Sequence, residues 1–144
     1  MGYVRKGTIL GITRGTKREH IIRAAQESIA YQSADLVFAM EKDTGVPLKR
    51  LKVDGGASRD SFLMQFQADV LNAEVIKPTT HETTALGVAM LAGLSVGVWK
   101  DLAQLKQMQK IDKIYKPNMQ ACVREEKLKK WRKAVERSMG WDLP

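Results

Sequence analysis

The sequence has little of the residues that build covalent or metal-based sites. It holds one cysteine, Cys122, which excludes a disulfide framework and a thiolate metal cluster and is typical of a reducing compartment. The two histidines, His20 and His81, lie far apart without the spacing of a ligand pair, so we expect no dedicated transition-metal site. The first residues lack the long apolar core of a secretory signal, and we therefore expect a cytoplasmic protein.

Common nucleotide-binding and catalytic motifs are also missing. The sequence contains neither GxxxxGK[ST] nor a GxGxxG that follows a strand. No carboxylate pair suits acid–base chemistry, and the lone cysteine has no histidine near it in sequence to activate it. The sequence therefore predicts no catalytic residue in this chain.

The longest uncharged run covers residues 83–99 and reads TTALGVAMLAGLSVGVW. Its length is at the lower limit for a membrane span, which usually needs about 20 mostly apolar residues. Alanine and glycine dominate it, and such small residues let helices approach closely. We expect a helix buried in the core of the domain and no membrane insertion.

The net charge of +8 is concentrated near the end of the chain. Residues 1–99 carry a net +2, whereas residues 100–144 carry +6. The tryptophans of this last region fall on or beyond its apolar face and do not alternate with the basic side chains. We interpret the charge as the solvated face of terminal helices and expect no nucleic-acid partner.

Apolar spacing and turn residues predict alternating strands and helices, which is typical of an α/β domain with parallel strand pairs. Strands are predicted over 7–13, 51–54 and 73–77. Helices are predicted to begin at capping residues Thr16, Ser58 and Thr79, with further helices over 101–108 and 123–139 and with 111–115 left ambiguous. The predicted inner face of the first helix, which ends at Gly45, comprises Ile22, Ala25, Ile29, Leu36 and Met40, and that of the second comprises Phe62, Phe66 and Val70.

The segment Val53–Ser58, which reads VDGGAS, is the strongest local feature. Two glycines between a strand and a helix permit a sharp turn and a close approach of a ligand to the backbone. The start of the following helix would favour a phosphate group. The residues alone leave two readings open, a phosphate-binding turn and a tight turn that needs glycine for its geometry.

Four blocks together resemble the FGGY carbohydrate kinases of the actin-like ATPase superfamily. They are GTILGITRG (7–15), HIIRAAQESIAYQ (20–32), LKVDGGASRDSFLMQFQADVLNAEV (51–75) and ETTALGVAMLAGLSVGVW (82–99). The resemblance implies an incomplete ribonuclease H-like α/β domain, helix-rich with a short mixed sheet and C-terminal helices. Residues 1–99 would be part of the C-terminal kinase domain, and residues 100–144 its helical extension.

The resemblance is strongest to the subgroup that phosphorylates glycerol with ATP, and it implies which residues face the nucleotide. Gly55, Gly56 and Ala57 correspond to the family's adenosine motif, and Asp60 to a position that is commonly an asparagine contacting the adenosine. Aspartate keeps the acceptor oxygen but lacks the amide donor. A second departure is Gln26, where the family usually has an apolar residue.

The same resemblance implies what would have to come from elsewhere. The catalytic aspartate, the glycerol pocket and the carboxylate linked to Mg²⁺ (magnesium) belong to an N-terminal lobe, and we identify no metal ligand in this chain. We therefore expect a fragment that is inactive alone and whose partner is the missing N-terminal kinase lobe or another copy of the chain. We expect residues 1–14 to detach, to swap, or to pair with a separate chain, and strand 7–13 not to pair with strand 50–54. The alternative function is a non-catalytic protein-interaction module on the same scaffold.

Overall fold

The computed structural model describes residues 7–80 and 82–140. The helices are α1 (Arg18–Thr44), a 3-10 helix (Gly56–Arg59), α2 (Ser61–Leu71), α3 (Thr83–Ser95), α4 (Leu102–Met108) and α5 (Ala121–Ser138). The strands are β1 (Arg50–Lys52), β2 (Glu74–Pro78) and β3 (Ile111–Tyr115). The ambiguous segment 111–115 is therefore a strand, and the region after residue 99 contributes to the sheet.

The three strands form one mixed sheet in the order β1-β2-β3. β1 is parallel to β2, with Leu51 opposite Val75, whereas β2 is antiparallel to β3, with Ile76 opposite Ile114. The parallel pair agrees with the strand–helix alternation of the sequence, and the mixed sheet confirms the expected fold class. β2 is the central strand, so β1 and β3 are the edges of the described sheet.

The first helix ends where the sequence predicts and begins differently. Gly45 has a left-handed φ of 68° and donates its N–H to the Glu41 carbonyl at 2.8 Å, which stops α1 as expected. The capping box predicted from Thr16 is wrong, because the Thr16 hydroxyl oxygen accepts from the Thr13 N–H at 2.9 Å. The start of α1 is instead closed by His20, whose Nδ1 accepts from the Lys17 N–H at 3.1 Å.

The strand predicted over residues 7–13 is wrong. These residues form neither strand nor helix, and Ile9 and Ile12 are each more than 60% exposed. β1 pairs with β2 and not with this segment, as we expected. A β-branched sequence has the propensity for a strand but still needs a neighbouring strand to bond, and the described chain supplies none here. Residues 1–6, which share the prediction for residues 1–14, lie outside the described residues.

The core lies between α1, α2 and β2. Phe66 and Val70 of α2 are buried as predicted, at 3% and 1% exposure, and Phe62 is partly buried against them. The predicted inner face of α1 is wrong, because α1 has two apolar stripes and buries the other one. Its buried residues are Ala30, Tyr31 and Ala34. The exposed stripe comprises Ile22, Ala25, Ile29, Leu36 and Met40.

The uncharged run forms α3, but the prediction that this helix is buried is wrong for the part of the chain that the structure describes. Only Met90 and Gly93 of α3 are buried, whereas Val88 and Leu91 are 65% and 64% exposed. A helix with apolar residues all round normally has neighbours on every side, and the described residues cover only one side of α3. No described helix is long and apolar enough to cross a membrane.

The last helix packs against the first through aromatic and charged side chains. Leu128 is buried, and the Trp131 ring stacks on Tyr31 with centroids 5.2 Å apart. Lys127 Nζ lies 3.4 Å from a Glu27 carboxylate oxygen. α5 therefore belongs to the same packed unit as α1 and α2.

Candidate functional site

The glycine loop, residues Asp54–Ala57, follows β1 and leads into the 3-10 helix. Gly55 has a φ of 78°, a left-handed conformation that strains any residue with a β-carbon. Gly56 is exposed, and a β-carbon built on it would meet no atom within 4 Å. Gly55 is therefore required by the turn itself, whereas Gly56 leaves open space beside the backbone.

A second loop meets the glycine loop at the same edge of the sheet. The Thr83 hydroxyl, at the start of α3, donates a hydrogen bond to the Asp54 carboxylate. Asp54 follows β1 and Thr83 follows β2, and these strands are parallel neighbours. Ligands of open α/β sheets bind beyond the carboxyl ends of such strands, so this convergence marks the candidate site.

The start of α3 differs from the sequence prediction. The predicted cap, Thr79, donates its hydroxyl to the Lys110 carbonyl at 3.4 Å and does not cap the helix. Glu82 occupies the capping position without a side-chain hydrogen bond to the helix. His81, which belongs to the same predicted capping box, lies outside the described residues.

The cap of α2 is Asp60, so the prediction of Ser58 as this cap is wrong. Asp60 Oδ1 accepts from the N–H groups of Phe62 and Leu63, at 2.9 and 3.1 Å. Ser58 is 1% exposed, and its hydroxyl donates to the Gly55 carbonyl at 2.7 Å. The 3-10 helix, which contains Ser58, displaces the cap of α2 by two residues from the serine that the sequence favours.

The other oxygen of Asp60 joins the loop region to α1. Gln26 Nε2 donates to Asp60 Oδ2 over 2.5 Å, and both residues are half-buried. The sequence marks both positions as departures from the resembled family but gives no sign that they meet. Only the packing of α1 on α2 brings them together.

A charged cluster around Glu27 lies one residue further along α1. Glu27 accepts from Arg23 Nε at 2.8 Å and from Lys127 Nζ at 3.4 Å. Tyr31 OH also donates to Glu27, at 3.4 Å. Burial, and then the neighbouring Glu27 charge, raise the pKa of the Tyr31 phenol. Arg23 in turn lies over the Phe62 ring, 4.0 Å from its centroid. These contacts fix α1 against α2 and α5.

The described residues offer no metal-binding cluster. Across 7–80 and 82–140, no three His, Cys, Asp or Glu side chains are grouped so that they could hold a metal ion. Cys122 is a free, exposed thiol. The candidate site thus consists of an exposed glycine backbone, Ala57, and the Asp60 carboxylate, an arrangement that suits binding of a ligand.

Comparison with protein families gives a match over most of the chain. The model of the C-terminal domain of the FGGY family of carbohydrate kinases matches residues 4–96. Among curated proteins, the glycerol kinase of Pseudothermotoga lettingae is 57% identical over 136 residues, which are 94% of this chain and 27% of that protein. The glycerol kinase of Treponema denticola is 54% identical with the same coverage. The chain thus spans about a quarter of the length of these relatives.

Among solved structures, the chain is also similar to carbohydrate kinases. A Plasmodium falciparum glycerol kinase crystallised with ADP matches 92% of this chain and 26% of its own, with a TM-score of 0.84 and 36% identity. A ligand-bound xylulose kinase from Lactobacillus acidophilus matches 95% of this chain with a TM-score of 0.77 at 23% identity, which shows the fold alone. The family match covers well over half of the chain. The chain belongs to the FGGY family of carbohydrate kinases, and its residues 4–96 match the C-terminal domain of that family.

Proposed function

We propose that this chain is the C-terminal part of an ATP-dependent glycerol kinase and forms part of the wall that contacts the adenosine. The complete protein would convert ATP and glycerol to ADP and glycerol 3-phosphate. One observation carries the proposal: the Asp54–Thr83 hydrogen bond holds together two loops at the carboxyl ends of parallel strands, with exposed glycine backbone beside it.

The adenosine contact is assigned to Gly55, Gly56, Ala57 and Asp60. The open space beside Gly56 would let the flat face of a nucleoside approach the main chain without a β-carbon in the way. The ADP named with the Plasmodium falciparum relative supports a nucleotide as the ligand class. Asp60 would contribute an acceptor oxygen at the end of the loop.

We expect no phosphoryl transfer by this chain alone. Phosphoryl transfer depends on positioning and charge stabilisation of both reactants. The sequence predicts no acid–base pair, and the described residues contain no cluster of possible metal ligands. Mg²⁺ would balance the charge of the nucleotide phosphates, with its protein ligands elsewhere in the kinase. Cytoplasmic location stays a prediction from the sequence.

The partner we assign is the remaining part of the kinase, with another copy of the chain as the alternative. The exposed stripe of α1, the exposed side of α3 and the free edge of β1 are apolar or unpaired surfaces that a folded neighbour would cover. Leu36 and Leu91, both 64% exposed, are examples. This area is the surface on which we expect the rest of the kinase to pack.

An ADP titration followed by NMR tests the nucleotide proposal. ADP should shift the backbone amide signals of residues 55–57 in the 144-residue chain. Gly56→Ala should weaken ADP binding at least tenfold without loss of stability, because its added β-carbon meets no protein atom but occupies the ligand's approach. The matched control is Gly87→Ala, a second glycine whose added β-carbon meets no atom within 4 Å. Unchanged signals of residues 55–57 at saturating ADP would contradict the proposal.

An activity assay tests the dependence on the rest of the kinase. The purified chain should show no glycerol-dependent ADP formation. Activity should appear when the chain is combined with the preceding part of the Pseudothermotoga lettingae relative, the part that this chain does not match. Glycerol-dependent turnover by the 144-residue chain alone would show that the fragment needs no partner.

A further inference from the structure

We propose that Gln26 of α1 is a positioning residue of the nucleotide site, which it serves by holding the Asp60 carboxylate in a fixed orientation. The inference rests on the proposed function, since it assumes that a nucleoside approaches the loop at residues 55–60. It adds a residue from a distant segment, 34 positions away along the chain, to that site.

Hydrogen bonds hold both carboxylate oxygens of Asp60. Its Oδ1 is held by two N–H groups of the first turn of α2, and its Oδ2 is held by Gln26 at 2.5 Å. Charge-assisted hydrogen bonds of this kind are shorter and stronger than neutral ones. Without Gln26, the carboxylate would keep its bonds to α2, but Oδ2 would lose the donor that determines its direction.

The pair leaves both a donor and an acceptor for a ligand. Gln26 has a second Nε2 hydrogen and its Oε1 acceptor, and Asp60 Oδ2 has a further lone pair. Among the described residues, no other side-chain hydrogen bond is made by either of these groups. A hydroxyl or amino group that donates and accepts at once is complementary to this arrangement, whereas a phosphate group consists mainly of acceptor oxygens and carries the same charge sign as Asp60.

The pair should therefore receive the nucleoside end of the nucleotide, through a ribose hydroxyl or the polar edge of adenine. Gln26 would determine affinity for the nucleoside and leave phosphate binding unaffected. Because α1 carries Gln26, the first helix becomes part of the site together with the glycine loop.

The experiment uses adenosine and inorganic phosphate as separate probes of the 144-residue chain, with NMR as the readout. Adenosine should shift the Gln26 side-chain amide signals together with those of residues 55–57, and phosphate should leave the Gln26 signals unchanged. Gln26→Leu should weaken adenosine binding about fivefold, the scale of one hydrogen bond. Gln32→Leu, an exposed glutamine on the same helix, is the matched control and should bind normally.

Exchanging the hydrogen-bond donor and acceptor between positions 26 and 60 distinguishes a positioning role of Gln26 from a purely structural one. Gln26→Glu alone places two carboxylates together and should weaken both folding and adenosine binding. Gln26→Glu combined with Asp60→Asn keeps the net charge of the wild type and exchanges donor for acceptor. This double variant should restore adenosine affinity to within about twofold, because the hydrogen bond and the donor–acceptor pair are both regained.

The outcomes distinguish the two proposals. If adenosine shifts residues 55–57 but Gln26→Leu binds with wild-type affinity, the inference about Gln26 fails and the proposed function stands. If the double variant regains thermal stability but not affinity, Gln26 has a structural role only and the inference is overturned. A phosphate-induced shift at Gln26 also overturns it. If adenosine shifts no signal of residues 55–57, the proposed function itself fails for this chain.

Discussion

The Trp131 indole N–H donates to the Asp35 carboxylate over 2.7 Å, although the two residues lie 96 positions apart in the sequence. The same indole ring stacks on Tyr31, at an interplanar angle of 18°. One side chain of α5 thus makes a polar and an apolar contact with α1. The position of the last helix depends strongly on this residue.

Replacing Trp131 by Phe should lower the free energy of unfolding by about 1 kcal/mol, because the stacked ring is largely kept while the hydrogen bond is lost. Trp131→Ala should cost more, since the stacking on Tyr31 is lost as well. Urea denaturation measures both changes. Arg132→Ala, a neighbouring exposed position, is the control and should change stability little. Equal effects of Phe and Ala would argue against any contribution from stacking.

Two glycines of α3 should respond oppositely to alanine. At Gly87 a β-carbon meets nothing within 4 Å, so Gly87→Ala should raise stability by about 0.5–1 kcal/mol through helix propensity. At Gly93 the Trp99 ring occupies the space of the β-carbon, so Gly93→Ala should cost about 1–3 kcal/mol. Thermal unfolding measures both, and in a Trp99→Ala background the penalty at Gly93 should disappear. If Gly93→Ala instead stabilised the chain, the Trp99 ring could not occupy the space beside Gly93.

Alkaline pH should lower the free energy of unfolding, because the buried Tyr31 phenol then ionises more readily in the unfolded chain than in the folded one. Burial raises the pKa of this phenol in the folded chain above its ordinary value of about 10. Below pH 10 the phenol is protonated in both states, and its contribution is fully present. Above pH 10 the unfolded chain releases the proton first, so stability falls as the pH rises through the folded pKa. Urea midpoints at pH 8 and pH 11 should differ less for Tyr31→Phe than for the wild type. An identical decline in both proteins would contradict this assignment.

Asp60→Ala should destabilise the chain by about 1–2 kcal/mol, because two N–H groups of α2 and the Gln26 amide lose their acceptor. Asp60→Asn should cost less, since asparagine is an equally good helix cap. Chemical denaturation compares the two variants. Equal losses for alanine and asparagine would mean that the carboxylate charge, and not the cap, stabilises this position.

The ends of helices could be predicted where the sequence has a residue that favours a helix C-terminus. Gly45 and Asn72 end their helices in left-handed conformations, as expected from residues that tolerate positive φ. The parallel pairing of β1 and β2 also follows from the intervening helix. The starts of helices were harder, because Thr16, Ser58 and Thr79 all have suitable hydroxyls and all bond elsewhere. In each case another hydrogen-bond partner competed with the helix: the Thr13 N–H, the Gly55 carbonyl and the Lys110 carbonyl, respectively.

Burial could not be predicted from periodicity alone. α1 carries two apolar stripes, and the more regular of them, which includes Ile29 and Leu36, is the exposed one. Periodicity shows that a helix has an apolar face but not which of two faces finds a partner in the same chain. For the same reason, the apolar sequence of α3 did not reveal that most of this helix is exposed in the described part of the chain. In the candidate site, the glycine loop was visible in the sequence, whereas the Asp54–Thr83 and Asp60–Gln26 hydrogen bonds depend on tertiary packing.

The length of α1 has a mechanical consequence for the two ends of the molecule. Gln26 contacts Asp60 and Asp35 contacts Trp131, and nine residues of continuous helix separate these contacts by about 14 Å. A helix transmits rotation about its axis almost rigidly over such a distance. A twist of α1 that moved the Gln26 amide away from the loop would therefore also shear the Trp131 contact, so that the orientation of the C-terminal helix and the geometry at the glycine loop are set by a single rigid body.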